Sequence, residues 1–135
     1  EAASMALLLW PSHPKEELEQ EFQALLQNPD AAVFFAYEGN VLAGFAQCGL
    51  RRDYVEGSST SPTGYLEGIF VLTGYRGRGL AKALLAEFEK CSRQKGCREM
   101  GSDCALENRE SRQFHLHSGF LEAGRIICFI KDLED

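Results

Sequence analysis

The residues whose types and spacing suggest chemistry lie in one run, Val71-Leu72-Thr73-Gly74-Tyr75-Arg76-Gly77-Arg78-Gly79-Leu80-Ala81. Gly77 and Gly79 remove side chains that would block an anion. Successive backbone N–H groups can then face it, and a helix starting near Leu80 adds its partly positive N-terminus. Arg76 and Arg78 bring guanidinium forks that match phosphate oxygens two at a time. The run reads as a cradle for a diphosphate, and a purely structural strand-turn-helix connection is the other reading. It has no Lys-Ser or Lys-Thr pair to close a P-loop and no G-x-G-x-x-G spacing for a dinucleotide fold.

Such a cradle must be held between a strand and a helix. Ala81, Leu84, Leu85, Phe88 and Cys91 form one apolar helical stripe, which should pack on a sheet. Lys82, Glu87, Glu89, Lys90, Arg93 and Lys95 take the other faces, and Gly96 is the expected stop. Upstream, residues 32–37 and 41–50 are apolar runs joined at Glu38-Gly39-Asn40, a hairpin signal. Residues 52–63 are polar and rich in serine and glycine and read as a loop, and 64–72 as the strand that feeds the cradle. Beyond the helix, 99–104 reads as a strand, 108–118 as a helix and 125–131 as a final strand. At the start, 4–10 reads as the end of a helix. Residues 15–27, with Leu18, Phe22, Leu25 and Leu26 on one face, read as a second helix stopped by Asn28-Pro29. The order is that of an α/β (α+β) fold, a mixed sheet with flanking helices.

Composition fits one soluble domain spanning residues 1–135. The chain has 135 residues, 44% of them hydrophobic, which is enough for one core and too few for two ordinary domains. No apolar run approaches the ~20 residues of a membrane-spanning helix, and no basic-then-apolar leader is evident. Five cysteines, Cys48, Cys91, Cys97, Cys104 and Cys128, are odd in number and contain no C-x-x-C. That argues against a disulfide framework or zinc knuckle and for a reducing, cytoplasmic setting. Cys104 reads as a nucleophile or, without an evident base, as an incidental thiol. The net charge of −6 disfavours nucleic acid as a partner and tilts weakly toward a cationic one.

Arg76-x-x-Gly79-x-Ala81 after a strand resembles the R/Q-x-x-G-x-G/A acetyl-coenzyme A motif of the GNAT superfamily of N-acetyltransferases. Asn108, Ser111, Phe114, Gly119 and Phe120 sit where that family commonly has N-x-x-A-x-x-L-Y-x-x-x-G-F. Leu9-Trp10-Pro11-x-His13-Pro14, Arg52-Asp53-Tyr54-Val55-x-Gly57, Leu66-Glu67-Gly68-Ile69-Phe70-Val71, Gly96-Cys97-Arg98-Glu99-Met100 and Ser102-Asp103 resemble its aminoglycoside 6'-N-acetyltransferase branch. The likeness runs from Leu9 to about Ile130. It implies a mixed, mostly antiparallel central sheet flanked by helices. The family places a strand before its first helix, whereas these residues open within what reads as that helix. The first strand is therefore expected to be missing, baring a sheet edge.

The resemblance implies direct transfer of acetyl from acetyl-coenzyme A to the 6'-amine of an aminoglycoside, without a metal and in a homodimer, as an antibiotic-resistance activity. Arg76, Gly77, Arg78, Gly79, Leu80 and Ala81 would bind the coenzyme diphosphate. Backbone groups of Ile69, Phe70 and Val71 would meet the thioester and its arm. Glu67 and Asp103 would bind the acceptor's ammonium groups, and one of them would take its proton. Asn108 would contact the pantetheine arm or simply cap a helix. His115 stands where much of the family has a proton-donating tyrosine, so it serves as the acid or packs beside the coenzyme groove. Trp10 would stack on a sugar ring or anchor the core, and Tyr54 would touch the acceptor or a second subunit. Glu122 follows the Gly119-Phe120 pair as in the branch, but Gly124 stands where a further carboxylate is usual. Two other readings stay open: an acetyltransferase for a polyamine or protein amine, and a non-catalytic coenzyme A-binding sensor.

Overall fold

The computed structural model describes Glu16, Gln20, Gln23, Ala24, Gln27 and residues 28–134. The five isolated positions are helical and exposed, as the polar face of the helix expected over 15–27 should be. Trp10, the expected helix at 4–10 and the question of a missing first strand lie outside the described residues. The described residues up to Asp103 form one compact unit and those from Cys104 onward another.

The first unit is built on β1 (Ala31–Glu38), β2 (Val41–Arg51), β3 (Thr63–Val71), α1 (Leu80–Gln94) and β4 (Met100–Ser102). The sheet order is β1-β2-β3-β4, antiparallel except for the parallel β3/β4 pair. The hairpin turns at Gly39, whose φ is 60°, and the loop over 52–62 separates β2 from β3. Central β2 buries Leu42, Ala43, Phe45, Ala46 and Cys48. Both of its faces are covered, so it reads as a continuous apolar run rather than an alternating one. Leu84, Leu85 and Phe88 of α1 are the predicted stripe and pack on β1, β2 and β3. The helix ends as expected: Gly96 takes φ 86°, and Cys97 N–H returns to the Ser92 carbonyl at 2.9 Å, satisfying the last-turn carbonyls.

Two irregularities matter for the site. Ala36 pairs with Gly44 but Tyr37 with Leu42, so Ala43 is an extra residue in β2. Gln47 pairs with Gly68 but Cys48 with Leu66, so Glu67 is an extra residue in β3. Bulges of this kind re-aim side chains and interrupt pairing.

The second unit holds α2 (Arg109–His117), capped by Asn108 and followed by Gly119 at φ 93°. The final strand expected over 125–131 is not formed: the segment has no regular structure. Ile126, Ile127, Phe129 and Ile130 are all exposed. A strand exists only where its backbone pairs with another, and these residues have no ladder partner among the described residues. β4 is also shorter than the expected 99–104.

Close packing of α1 on the sheet depends on Gly64. A Cβ there would clash with Ser92 Oγ and lie 3.3 Å from Phe88. Ser92 Oγ is itself buried without a hydrogen-bond partner among the described residues. Gly64→Ala is expected to cost about 1–3 kcal/mol by overpacking. Adding Ser92→Ala should recover part of that loss, because it removes the nearest clash and an unpartnered hydroxyl. Denaturant unfolding of both variants checks this.

Candidate active site

The segment expected to cradle a diphosphate is a short 3-10 turn, Thr73–Tyr75, followed by Arg76 to Gly79 and the start of α1. Gly77 and Gly79 have φ of 80° and 81°, and a Cβ at either would meet open space. Glycine is required there by backbone conformation, and the space beside it is available to a ligand. Gly79 is the N-cap, and no side chain caps the helix. Ala83 N–H reaches the Gly79 carbonyl at 3.0 Å. The amides of Leu80, Ala81 and Lys82 before it therefore point out of the helix start, as an anion site requires. Arg76 Nε donates to the Val71 carbonyl at 2.9 Å, and its guanidinium lies 5.5 Å from the Phe70 ring centroid. This spends one of its five donors to hold the others beside the turn. Arg78 lies over Tyr75 and 3.9 Å from Glu38, a loose, exposed pairing.

The Glu67 bulge sets the direction of the amides at the end of β3. N–H groups alternate sides along a strand. Gly64 donates toward β4, to the Glu99 carbonyl at 3.1 Å, while Leu72 donates toward β2, to the Ala43 carbonyl at 2.8 Å. Those residues are eight apart and would point the same way in a regular strand, so the extra residue has reversed the alternation. Ile69 and Val71 therefore turn their N–H groups away from β2, and Phe70 turns its own toward it. β4 pairs with β3 only as far as Leu66, where Ser102 Oγ closes the ladder on the Leu66 carbonyl at 3.1 Å. The amides of Ile69 and Val71 thus face an edge that β4 does not cover.

The two predicted carboxylates lie on one connected group of side chains. Arg51 grips Glu67 with both ends of its fork, Nη2 to Oε1 at 2.8 Å and to Oε2 at 3.0 Å, and Nε to Oε2 at 3.3 Å. The same guanidinium stacks 3.4 Å from the Tyr65 ring centroid. Tyr65 then donates its hydroxyl to Asp103 Oδ2 at 2.5 Å. Asp103 is exposed, and Oδ1 has no hydrogen-bond partner among the described residues. Burial first, then the hydrogen bond to Asp103, push the Tyr65 phenol well above its ordinary range, so it remains a neutral donor at physiological pH.

The loop over 52–62 is anchored at Glu99, just before β4. Glu99 accepts from Ser59 N–H at 2.9 Å, from Thr60 N–H at 2.8 Å and from the Thr60 hydroxyl. These bonds, led by the Thr60 hydroxyl, hold its carboxyl below the usual range. The anchor is therefore in place above the ordinary glutamate value and is lost on acidification through the lowered one. Val55 is buried where a Cβ on Gly101 would meet it and Tyr65. Tyr54 is exposed, and its hydroxyl accepts from Gly57 N–H at 3.3 Å.

In the second unit, Asn108 Oδ1 accepts from Ser111 N–H at 3.1 Å and caps α2. His115 Nδ1 lies 2.6 Å from the Ser111 carbonyl. A carbonyl only accepts, so Nδ1 carries the hydrogen. Glu122 is paired with Arg125. All five cysteines are free thiols, and burial raises those of Cys48 and Cys97. No cluster suited to a metal ion occurs among the described residues.

This cradle, strand edge and carboxylate pair occur in a chain whose residues 2–120 match the acetyltransferase (GNAT) family model. An aminoglycoside N(6')-acetyltransferase type 1 of Salmonella typhimurium is 43% identical over 123 residues, covering 91% of this chain and 85% of that protein. The chain belongs to the GNAT acetyltransferases. Another relative, from Acinetobacter genomosp. 13 and carrying the same name, is 40% identical over 93% of this chain and 86% of its own length. Among solved structures, aminoglycoside N-acetyltransferase AAC(6')-Iy with the bisubstrate analog CoA-S-monomethyl-acetylneamine is 41% identical, with a TM-score of 0.92. It covers 96% of this chain and 88% of that one. The 6'-N-acetyltransferase AAC(6')-Ih of Acinetobacter baumannii is 35% identical, with a TM-score of 0.90, over 98% and 90%.

For this acetyltransferase, sequence reasoning missed Arg51, Tyr65 and Glu99. Arg51 and Tyr65 had a signal, since a cation and an aromatic ring beside Leu66-Glu67 are close enough in a hairpin to reach it. Glu99 had none, because its partners are 39 and 40 residues away. The raised Tyr65 phenol gives a test. Its folded-state contribution is full below the ordinary tyrosine value of 10.0 and is lost as pH rises toward the elevated one. An ultraviolet phenolate titration should show one of the four tyrosines ionising late, and Tyr65→Phe should remove that phase.

Proposed function

We propose that this chain is an acetyl-coenzyme A-dependent aminoglycoside 6'-N-acetyltransferase and that its activity confers resistance. The observation that carries the reading is the meeting of two carboxylates with a strand edge that β4 does not cover and that presents two outward amides, in a chain 43% identical to a named 6'-acetyltransferase. Acetyl-coenzyme A supplies the acetyl thioester. The open space at Gly77 and Gly79, the uncapped start of α1 and the forks of Arg76 and Arg78 suit its diphosphate. Ile69 and Val71, with Phe70 between them, provide the strand edge where an N–H can stabilise negative charge building on a carbonyl oxygen. Asn108 and His115 are assigned to the coenzyme arm on the family motif.

Asp103 takes the general-base role. Its Oδ1 is open, whereas both Glu67 oxygens are engaged by Arg51. Asp103 accepts a proton from the substrate ammonium, which frees the nitrogen lone pair to attack the thioester carbonyl. As the C–N bond forms the C–S bond breaks, and the departing coenzyme A thiolate takes up the second nitrogen proton. Glu67 acts in binding, and Trp10 and Tyr54 are assigned to the acceptor side. Family membership supports one domain, since the family model spans residues 2–120 across both units. No described helix is long and apolar enough to cross a membrane, and a cytoplasmic enzyme is part of the same proposal. So is a homodimer, which the exposed Ile126, Ile127, Phe129 and Ile130 favour, since monomers seldom leave such a cluster in water.

A thiol-release assay tests the reading. Turnover should occur with aminoglycosides that carry a 6'-amine and fail with those that lack it. Turnover only with polyamines or a lysine peptide would change the acceptor, and none at all would favour the sensor. Asp103→Asn should lower kcat by about 10²–10⁴-fold, the usual worth of a positioned base, with coenzyme A binding nearly intact.

A further inference from the structure

Arg51 is the last residue of β2, yet its side chain returns across β3. It covers two surfaces that an amino sugar would use. One is the Glu67 carboxylate, both of whose oxygens it occupies. The other is the face of the Tyr65 ring, which is only 6% exposed with the guanidinium 3.4 Å from its centroid. The cover itself is open to solvent, since 43% of the Arg51 side chain is exposed, as is 33% of that of Glu67.

We propose that Arg51 is an internal stand-in for a substrate ammonium, displaced by the acceptor, and that it thereby sets how much positive charge an acceptor must bring. The inference rests on the acceptor side assigned above. Planar guanidinium on an aromatic face, with its fork on a carboxylate, reproduces what a protonated amino sugar offers: a cation for Glu67 and a ring for Tyr65. Exposed ion pairs and exposed cation–aromatic contacts are weak, so a ligand carrying several ammonium groups can exchange for this one. The group holds two carboxylates and one guanidinium. An acceptor with a single amine gains little by displacing Arg51, whereas a polycation engages both Glu67 and Asp103. Arg51 is therefore a specificity-determining residue rather than a catalytic one.

Steady-state kinetics of Arg51→Gln and Arg51→Lys test this, with acceptors of increasing amine number and with acetyl-coenzyme A varied separately. Removing the stand-in should lower the acceptor KM about 1.5- to fivefold, the range expected for an exposed pair. It should shrink the advantage of highly charged acceptors and leave the KM for acetyl-coenzyme A unchanged. Arg51→Lys keeps the charge but loses the fork and the stack, so it should shift the acceptor KM in the same direction by a smaller factor. That variant carries the test if Arg51→Gln does not fold. An acceptor KM that stays the same or rises, with wild-type turnover intact, overturns the inference alone. A wild-type chain that acetylates no 6'-amine acceptor overturns the proposed function and this inference with it.

Discussion

One extra residue in β3 organises the chemistry of this fold. With Glu67 inserted between Leu66 and Gly68, the register against β2 slips by one, and every amide beyond it points to the opposite side of the strand. Without the bulge, Phe70 rather than Ile69 and Val71 would present its N–H to the edge beyond the end of β4. A carbonyl brought along that edge would then find different donors. The same insertion makes Glu67 a residue that need not obey the alternation of buried and exposed positions, which frees its carboxylate to meet Arg51. Strand polarity and carboxylate placement are thus one constraint, and the cradle that follows β3 inherits its direction from it.

The electrostatics follow from that geometry. Asp103 stands just past β4, where Tyr65 reaches it, and Tyr65 in turn lies beneath the guanidinium that holds Glu67. Among the described residues no lysine takes part in this group, and its one arginine is tied to one carboxylate and leaves the other exposed. The net charge of −6 is therefore less informative than the placement of two acidic groups around one tyrosine. At the other end of β3 the balance is reversed, with Arg76, Arg78 and the uncapped start of α1 supplying positive potential. A single strand links a surface suited to cations with a surface suited to anions, and acyl transfer from an anionic donor to a cationic acceptor requires that pairing.

Local chemistry was the part of the molecule legible in the sequence. Gly39, Gly77, Gly79 and Gly96 marked turns that the structure places where expected, because a positive φ imposes a residue type on a single position. The stripe of α1 was legible because burial imposes a helical period, and the bounds of β1, β2 and β3 were legible within a residue or so because apolar runs end at polar and glycine-rich turns. The pairing between strands was not. A bulge is a mismatch between two segments and leaves no mark in either one alone, so Glu67 was singled out as a carboxylate but not as an insertion. Residues 125–131 failed for the related reason that their apolar content suits a strand, while a strand needs a partner that sequence does not name. Asn108 shows how one residue serves two readings: its cap on α2 is visible, and the cap says nothing about the coenzyme arm.

Acyl transfer at this edge turns on which backbone groups face the acetyl donor, and amide-resolved NMR measures that directly. On titration with acetyl-coenzyme A, the amide resonances of Ile69 and Val71 should shift strongly and their hydrogens should become protected from exchange. Phe70 and Leu72, which donate toward β2, should change little and be protected throughout. A response at Phe70 with none at Ile69 and Val71 would contradict the bulge-reversed strand edge, and with it the placement of acyl transfer beside Glu67 and Asp103.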